Sequence, residues 1–253
     1  MAKTLGKSIL AGFFIAVGAA VSSIAASSST DFLTGKVIAA SLFPIGLILI
    51  ILAGGELFTG DCLLINTFSK KNKDIFNVTI FLVLVWYGNL LGSFFSAFLF
   101  YWAGIPAINN YMVGAYFIKT ANIKAALSPS TAIISGFLCN IFVCLAVLLA
   151  TKAKTTIGKI ISIAIPIFTF VFLGFEHCVA DMFYFCMGGI CYNIPECVSL
   201  ANASVIQPAI DMISNLILIT IGNIFGGFFI GLLLKSFYQS PHQEFEKEWY
   251  ISE

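Results

Sequence analysis

The feature that most constrains the fold of this chain is its division into long apolar blocks. Six blocks can be read along the sequence, at about residues 8–27, 37–68, 75–103, 127–150, 159–187 and 209–237. A helix needs about 20 apolar residues to cross a bilayer, and each block has that length. Only 10% of the residues are charged, whereas a soluble domain carries about 25%. The sequence therefore predicts an all-α membrane protein with six transmembrane helices in one domain, residues 1–237, and a polar cytoplasmic tail over 238–253.

The second and fifth blocks are each interrupted by polar, glycine-containing sequence. The second carries GGELFTGD at 54–61, and the fifth carries GFEHCVAD at 174–181. Irregular backbone within a bilayer is tolerated only where protein or a water-filled cavity satisfies its polar groups. Interrupted spans at matching places in two halves are typical of a transport site. We expect both helices to be broken there, and the free N–H groups of the restarted half-helices to attract a small anion.

Other short motifs recur in the same order in both halves of the chain. GNLLG at 88–92 matches GNIFG at 222–226, and the GF pair at 12–13 is aligned with the GF pair at 136–137. These matches predict a repeat of three plus three spans, with halves at about 8–103 and 127–237. Because three is an odd number of crossings, the two halves must have opposite topology, which makes the repeat an inverted one.

The lysines predict the orientation of the chain in the membrane. With a cytoplasmic N-terminus, the inner side carries Lys3, Lys7, Lys70, Lys71, Lys73, Lys152, Lys154, Lys159, Lys235 and Lys247, and the outer side carries Lys36, Lys119 and Lys124. Cytoplasmic segments are enriched in Lys and Arg, so both termini are expected inside the cell. The chain has no arginine, which excludes a guanidinium clamp for phosphate, and no basic patch indicates a nucleic-acid partner.

Polar side chains within the apolar blocks need compensating partners. We expect Glu56 and Glu176 to point away from the path of an anion. There they would accept hydrogen bonds from the broken backbone and from Asn89 and Asn223, or from neighbouring subunits. The GNxxG motifs that hold these asparagines are small-xxx-small patterns, which favour close helix packing.

Two aspartates and one histidine complete the interruptions. Asp61 and Asp181 are expected to cap the restarted half-helices, because Asp is a favoured N-cap. His177 has two possible roles, either a neutral core residue or a residue that faces the path and exchanges a proton. Its position beside Glu176 in an interrupted span favours the path.

A different class of function is an intramembrane enzyme or redox protein that uses His177, Glu176 and the cysteines. The chain has no HExxH, GxSxG or P-loop motif. We therefore expect a protein that is not an enzyme, with no metal and no cofactor. Three cysteines, Cys186, Cys191 and Cys197, lie in or near one loop, so the sequence leaves open whether they form a disulfide.

The chain resembles the formate/nitrite transporter family over essentially its whole length. The resemblance is carried by GGELFTGD at 54–61, GNLLG at 88–92, GFLCNIFVCLAV at 136–147, GFEHCVAD at 174–181 and GNIFGG at 222–227. It implies a homopentamer in which each protomer has an aquaporin-like six-helix fold with its own pore. The Asn-Pro-Ala boxes of aquaporins are absent from this sequence, so water conduction is not expected.

The resemblance also implies roles for individual residues. His177 matches the central pore histidine, Thr59 the threonine that faces it, Lys124 a lysine that attracts anions from outside, and Asn140 an asparagine close to the pore. Phe43 and Phe170 match the outer aromatic constriction. Apolar narrowings are matched by Leu47, Leu57 and Phe58, the last two on the cytoplasmic side.

The variant motif GFEHCVADMF at 174–183 bears on the substrate. Many family members read GFEHSIAN, whereas this chain has Cys178 and Asp181. The variant looks closest to the clostridial branch that conducts hydrosulfide. The resemblance therefore implies a channel for small monovalent weak-acid anions in a bacterial plasma membrane, with hydrosulfide as substrate. The alternative is a formate or nitrite channel, with proton coupling an open possibility for either.

Overall fold

A computed structural model describes residues 1–29, 31–66, 72–202 and 208–237. Within these residues the regular structure is helical. The helices are α1 (Ala2–Ser27), α2 (Phe32–Leu42), α3 (Ile45–Ala53), α4 (Phe58–Asp61), α5 (Asn72–Trp102), α6 (Met112–Ala125), α7 (Pro129–Lys152), α8 (Thr156–Leu173), α9 (Cys178–Cys191), α10 (Pro195–Ala201) and α11 (Ala209–Phe237), with short 3-10 helices at Cys62–Asn66 and Ile105–Ala107. The predicted tail over 238–253 lies outside the described residues.

Six helical segments in the described residues are long and apolar enough to cross a membrane. They are Ala2–Ser27, Phe32–Ala53, Ile75–Trp102, Pro129–Lys152, Thr156–Leu173 and Ala209–Leu233. The prediction of an all-helical protein with six candidate membrane spans is therefore confirmed. The sequence did not predict α6, a helix of 14 residues between the third and fourth spans, which carries Lys124.

Side-chain caps define where several helices begin, and one of them lies outside the apolar block predicted from the sequence. The Asp31 side chain accepts a hydrogen bond from the Thr34 N–H, so the second span begins at Phe32 rather than at residue 37. Ser128 caps α7 in the same way. Such side chains replace the intrahelical partners that the first N–H groups of a helix lack.

The second and fifth apolar blocks each contain a helix end and a restart. The first helical part ends at Gly54 in one block and at Gly174 in the other, with φ of 82° and 78°. Left-handed backbone of this kind favours glycine because it has no Cβ. The next helices begin at Phe58 and Cys178, so the residues between are 54–57 and 174–177.

Glycines allow very close contact in two helix pairs, α1 with α5 and α7 with α11. A Cβ added to Gly92 would lie 2.0 Å from the Ile9 carbonyl oxygen, and one added to Gly222 would lie 2.2 Å from the Ile133 oxygen. The expectation that the GNxxG motifs permit close packing is therefore confirmed.

The contacts correct one detail of the sequence alignment between the halves. Asn89 donates to the Ser8 carbonyl at 2.8 Å, and Asn223 donates to the Gly136 carbonyl at 2.7 Å. These bonds align Ser8 with Gly136. The alignment of Gly12 with Gly136 was therefore wrong by one helical turn, because shared glycines do not by themselves define the register of packed helices.

Candidate functional site

The interruption over 174–177 is held by the side-chain amide of Asn223. Its Oδ1 accepts a hydrogen bond from the Cys178 N–H at 2.9 Å, and its Nδ2 donates to the Glu176 carbonyl at 3.1 Å and the Gly136 carbonyl at 2.7 Å. Asn223 is fully buried. The amide thus satisfies the first N–H of α9 and a carbonyl of the interruption at a fully buried position.

Asn89 does the same for the interruption over 54–57. Its Oδ1 accepts from the Phe58 N–H at 2.9 Å, and its Nδ2 donates to the Glu56 carbonyl at 3.0 Å and the Ser8 carbonyl at 2.8 Å. The expectation that Asn89 and Asn223 bind the Glu56 and Glu176 side chains was wrong. Both amides bind the main chain instead, because backbone N–H and C=O groups at a helix break lack intrahelical partners.

His177 and Thr59 meet although 118 residues separate them, with 2.9 Å between Nε2 and Oγ1. The other ring nitrogen, Nδ1, accepts a hydrogen bond from the Ala180 N–H at 3.1 Å. A backbone N–H can only donate, so Nδ1 carries its lone pair and the neutral ring carries its hydrogen on Nε2. Nε2 then donates to Thr59 Oγ1, which leaves the Thr59 hydroxyl hydrogen available for another acceptor.

The same bond shows that His177 is the N-cap of α9. The prediction that Asp181 caps this half-helix was wrong, because Asp181 lies one turn inside α9. The prediction for Asp61 was also wrong. The N-cap of α4 is Leu57, which makes no side-chain cap, and Asp61 is the last residue of that short helix.

Aromatic rings line the histidine on one side. The Phe170 ring stacks on the His177 ring with centroids 6.1 Å apart, and Phe43 packs edge-on against Phe170 at 5.9 Å. The structure therefore brings together Phe43, Phe170 and His177. Leu47, Leu57 and Phe58 are buried in the same apolar core, and their role as narrowings stays a prediction.

Lys124 lies between two carboxyl groups. Its Nζ contacts Glu176 Oε2 and lies 2.7 Å from Asp181 Oδ1. It also lies 5.3 Å from the centre of the Tyr184 ring. The Lys124 side chain is 15% exposed, that of Glu176 is 9% exposed, and Asp181 is fully buried. The sequence predicted these residues separately and did not predict that they form one cluster.

A second lysine lies at the other interruption. Lys7 Nζ is 3.3 Å from Glu56 Oε1, and the Lys7 carbonyl accepts a hydrogen bond from the Glu56 N–H at 3.3 Å. The Lys7 side chain is 39% exposed, so this ion pair is more open to solvent than that of Lys124. In the sequence analysis Lys7 served only to orient the chain in the membrane, and no motif indicated its contact with Glu56.

Two further asparagines pair with main-chain carbonyls. Asn140 Nδ2 donates to the Asn223 carbonyl at 2.6 Å, which ties α7 to α11. Asn215 Nδ2 lies within 3.1 Å of the carbonyl oxygens of Lys124, Ala125 and Leu127, at the C-terminal end of α6. The sequence analysis missed Asn215. The sequence feature that could have indicated Asn215 was its amide side chain within an otherwise apolar block.

The cysteines and acidic residues provide little further chemistry. All seven cysteines are free thiols, which answers the question left open for Cys186, Cys191 and Cys197. In the short helix α10, burial and then the neighbouring Glu196 raise the pKa of the Cys197 thiol to about 11. Within the described ranges, no three His, Cys, Asp or Glu side chains are grouped so that they could bind a metal ion.

Comparison with known proteins identifies the class. A family model described as "Formate/nitrite transporter" matches residues 1–237. The chain is 34% identical over 245 residues to a probable formate transporter of Methanothermobacter thermautotrophicus, covering 90% of this chain and 85% of the relative. It is 32% identical over 249 residues to the formate channel FocA of Escherichia coli strain K12, covering 92% and 84%.

Solved structures agree with these relatives. A pentameric formate channel with formate bound has a TM-score of 0.85 at 28% identity, over 94% of this chain and 97% of that chain. An FNT family ion channel has a TM-score of 0.78 at 26% identity, over 94% and 90%. The fold and the buried polar interruptions are those of a membrane transport protein, not an enzyme. The chain belongs to the formate/nitrite transporter family.

Proposed function

We propose that the chain forms a homopentameric channel in which each protomer passes small monovalent weak-acid anions, with formate as the first candidate substrate. Two relatives are named as a formate transporter or channel, and a structural relative is a pentameric channel with formate bound. The observation that carries the proposal is the buried pair of His177 and Thr59 beside Phe43 and Phe170.

The permeating species meets this pair after losing most of its water. An anion that enters an apolar slit loses its hydration, which is costly unless hydrogen bonds replace it. The Thr59 hydroxyl hydrogen is free to donate because the hydroxyl oxygen already accepts from His177 Nε2. His177 is thereby a positioning and polarising partner, since its Nδ1 accepts from the Ala180 N–H and the ring therefore carries a hydrogen only on Nε2.

The remaining residues are assigned to successive parts of the same path. Lys124, held beside Glu176, attracts the anion at the outer entrance. Phe43 and Phe170 form the outer narrowing, Leu57 and Phe58 form the inner one, and Leu47 also lines an apolar narrowing. Asn140, which ties α7 to α11 through Asn223, keeps the walls of the path in contact.

We further propose that the two halves form an inverted repeat around this path. Support comes from the matching contacts of Asn89 and Asn223 with the two interruptions. The lysine distribution supports cytoplasmic termini, and the bacterial relatives support a bacterial plasma membrane. The domain is then residues 1–237, the range that the family model matches.

Hydrosulfide is the second candidate substrate, and nitrite is a third. Hydrosulfide is supported by the variant motif at 174–183, in which Cys178 directly follows the histidine. Flux into proteoliposomes in the presence of competing formate, hydrosulfide, nitrite or chloride ranks these anions. Competition by chloride as strong as that by formate would contradict a path selective for weak-acid anions.

The role of the Thr59 hydroxyl has a matched test. Thr59→Val keeps the shape of the side chain and removes the donor. A hydrogen bond contributes about 0.5–3 kcal/mol, with the upper part of the range for a charged partner, so formate flux is expected to fall by roughly 2- to 100-fold. The control is Thr79→Val, because Thr79 is exposed and its hydroxyl donates to the Ile75 carbonyl of its own helix. Equal fluxes for the two variants would contradict the proposed donor.

A further inference from the structure

The cluster of Lys124, Glu176 and Asp181 has an uneven charge balance. One ammonium group contacts two carboxyl groups. If all three groups are ionised, their charges of +1, −1 and −1 sum to −1. A buried charge without a partner is costly, and a net negative charge at the outer entrance would repel the anion that Lys124 is proposed to attract. One bound proton makes the cluster neutral.

Asp181 has the environment of a carboxyl group that can hold this proton. It is fully buried, and its Oδ2 has no hydrogen-bond partner among the described residues. Glu176 contacts the same ammonium group and is the more exposed of the two acids. Because two carboxyl groups that share one site cannot easily both ionise, the pair is suited to share a single proton.

The groups around the pair do not remove the imbalance. The titratable groups that interact electrostatically with Lys124 or with one of the two acids are Tyr116 on α6, Cys139 on α7, and His177, Cys178 and Tyr184 at the start of and along α9. None of these adds a second cation to Lys124, since the His177 ring is held in its neutral form by the Ala180 N–H. Lys36 lies against Phe32 and Phe172 instead.

We propose that Glu176 and Asp181, held by Lys124, are a proton-binding site that supplies the proton accompanying each anion through the channel. The inference rests on the proposed function. It assigns the proton to the carboxyl pair and not to His177, whose Nδ1 must remain unprotonated to cap α9.

The proposed step is a balanced proton transfer. The anion reaches the outer entrance beside Lys124 and Glu176, the carboxyl O–H bond breaks, and a bond forms between that hydrogen and the anion. The neutral acid crosses the apolar narrowing that begins at Phe43 and Phe170. The cluster, left with its net negative charge, takes up another proton from the outer solution.

The test measures protons and formate together. Purified full-length protein is reconstituted in liposomes in which potassium and valinomycin hold the voltage. Radiolabelled formate and an internal pH dye report the two fluxes, with empty liposomes subtracted. We expect one proton per formate for the wild type. We expect loss of most of the accompanying proton flux in Asp181→Asn and in Glu176→Gln, because each leaves a neutral pair with Lys124. Asp31→Asn, a matched change at an exposed carboxylate, keeps the wild-type ratio.

An infrared measurement tests the site without transport. At neutral pH the wild type and Asp31→Asn are expected to show the C=O band of a protonated carboxyl group that is absent in Asp181→Asn and Glu176→Gln. The inference is overturned if the infrared band or the wild-type proton ratio persists in both variants. It is also overturned if the wild type transports formate without protons. In each case the proposed function as an anion channel still stands. Absence of wild-type formate flux contradicts the proposed function for formate, and the infrared band then decides on the proton site alone.

Discussion

Replacing Asn223 by alanine removes the amide that joins α9, α7 and the interruption between α8 and α9. Three hydrogen bonds are lost, to the Cys178 N–H, the Glu176 carbonyl and the Gly136 carbonyl. The Gly136 carbonyl lies inside α7 and keeps its helical partner. The other two groups lie at a helix start and in irregular backbone, so they are left buried without a partner.

The magnitude follows from these two groups. A buried polar group that loses its partner costs about 1–3 kcal/mol. Two such groups predict a loss of about 2–6 kcal/mol in the free energy of unfolding, with a central value of about 4. Asn89→Ala is expected to cost a similar amount, because Asn89 bonds to the Phe58 N–H and the Glu56 carbonyl in the same way.

The assay is denaturation of the purified protein in mixed micelles, followed by circular dichroism over a series of sodium dodecyl sulfate concentrations. The control is Asn193→Ala, which removes one exposed hydrogen bond to the Gly189 carbonyl and is expected to change stability by no more than about 0.5 kcal/mol. A loss of less than about 1 kcal/mol for Asn223→Ala would refute the reasoning, since it would mean that water or another group satisfies the interruption.

Three further predictions concern helix packing and helix ends. Gly92→Ala places a Cβ 2.0 Å from the Ile9 carbonyl oxygen and is expected to destabilise the protein by about 1–3 kcal/mol in the same denaturation assay. Gly189→Ala, which meets nothing within 4 Å, is expected to stabilise α9 by about 0.5–1 kcal/mol, and equal effects would contradict the packing argument. Ser128→Ala removes the cap of α7 and should lower the free energy of unfolding by about 1 kcal/mol. An unchanged denaturation midpoint would show that the cap does not stabilise the protein. Hydrogen bonds from Thr34 hold the pKa of the exposed Asp31 carboxyl below its usual value. The stability that the ionised Asp31 adds is therefore present above the unfolded pKa of about 4 and is lost as pH falls through the folded pKa. Thermal unfolding between neutral and acid pH should show a smaller acid-induced loss of stability in Asp31→Asn, and a loss equal to that of the wild type would refute this prediction.

Much of the fold could be predicted because bilayer physics leaves few choices. Long apolar blocks must be helices, so the six candidate spans followed from the sequence. Helix ends were less accurate, since Asp31 caps the second span from outside its apolar block. Helix α6 was missed because it is too short and too polar to be read as a span.

The candidate site could be predicted only in part. The motifs identified His177 and Thr59, and the structure joins them by a hydrogen bond. The caps were assigned incorrectly to Asp61 and Asp181, because a favoured residue type indicates a cap but not which nearby side chain reaches the free N–H groups. The role of Asn215 was not predicted because the carbonyl groups that it binds are about 90 residues away in the sequence.

The sequence by itself determined that the chain crosses a membrane and that its polar residues are concentrated in two interrupted spans. It could do so because burial of charge in the lipid core is costly. Only the tertiary structure decided the partner of each polar group. Lys124 and Glu176 are 52 residues apart, and His177 and Thr59 are 118 apart. Hydrogen bonds and ion pairs form only over a few ångströms, so their pairing depends on how the helices pack and not on the order of residues along the chain.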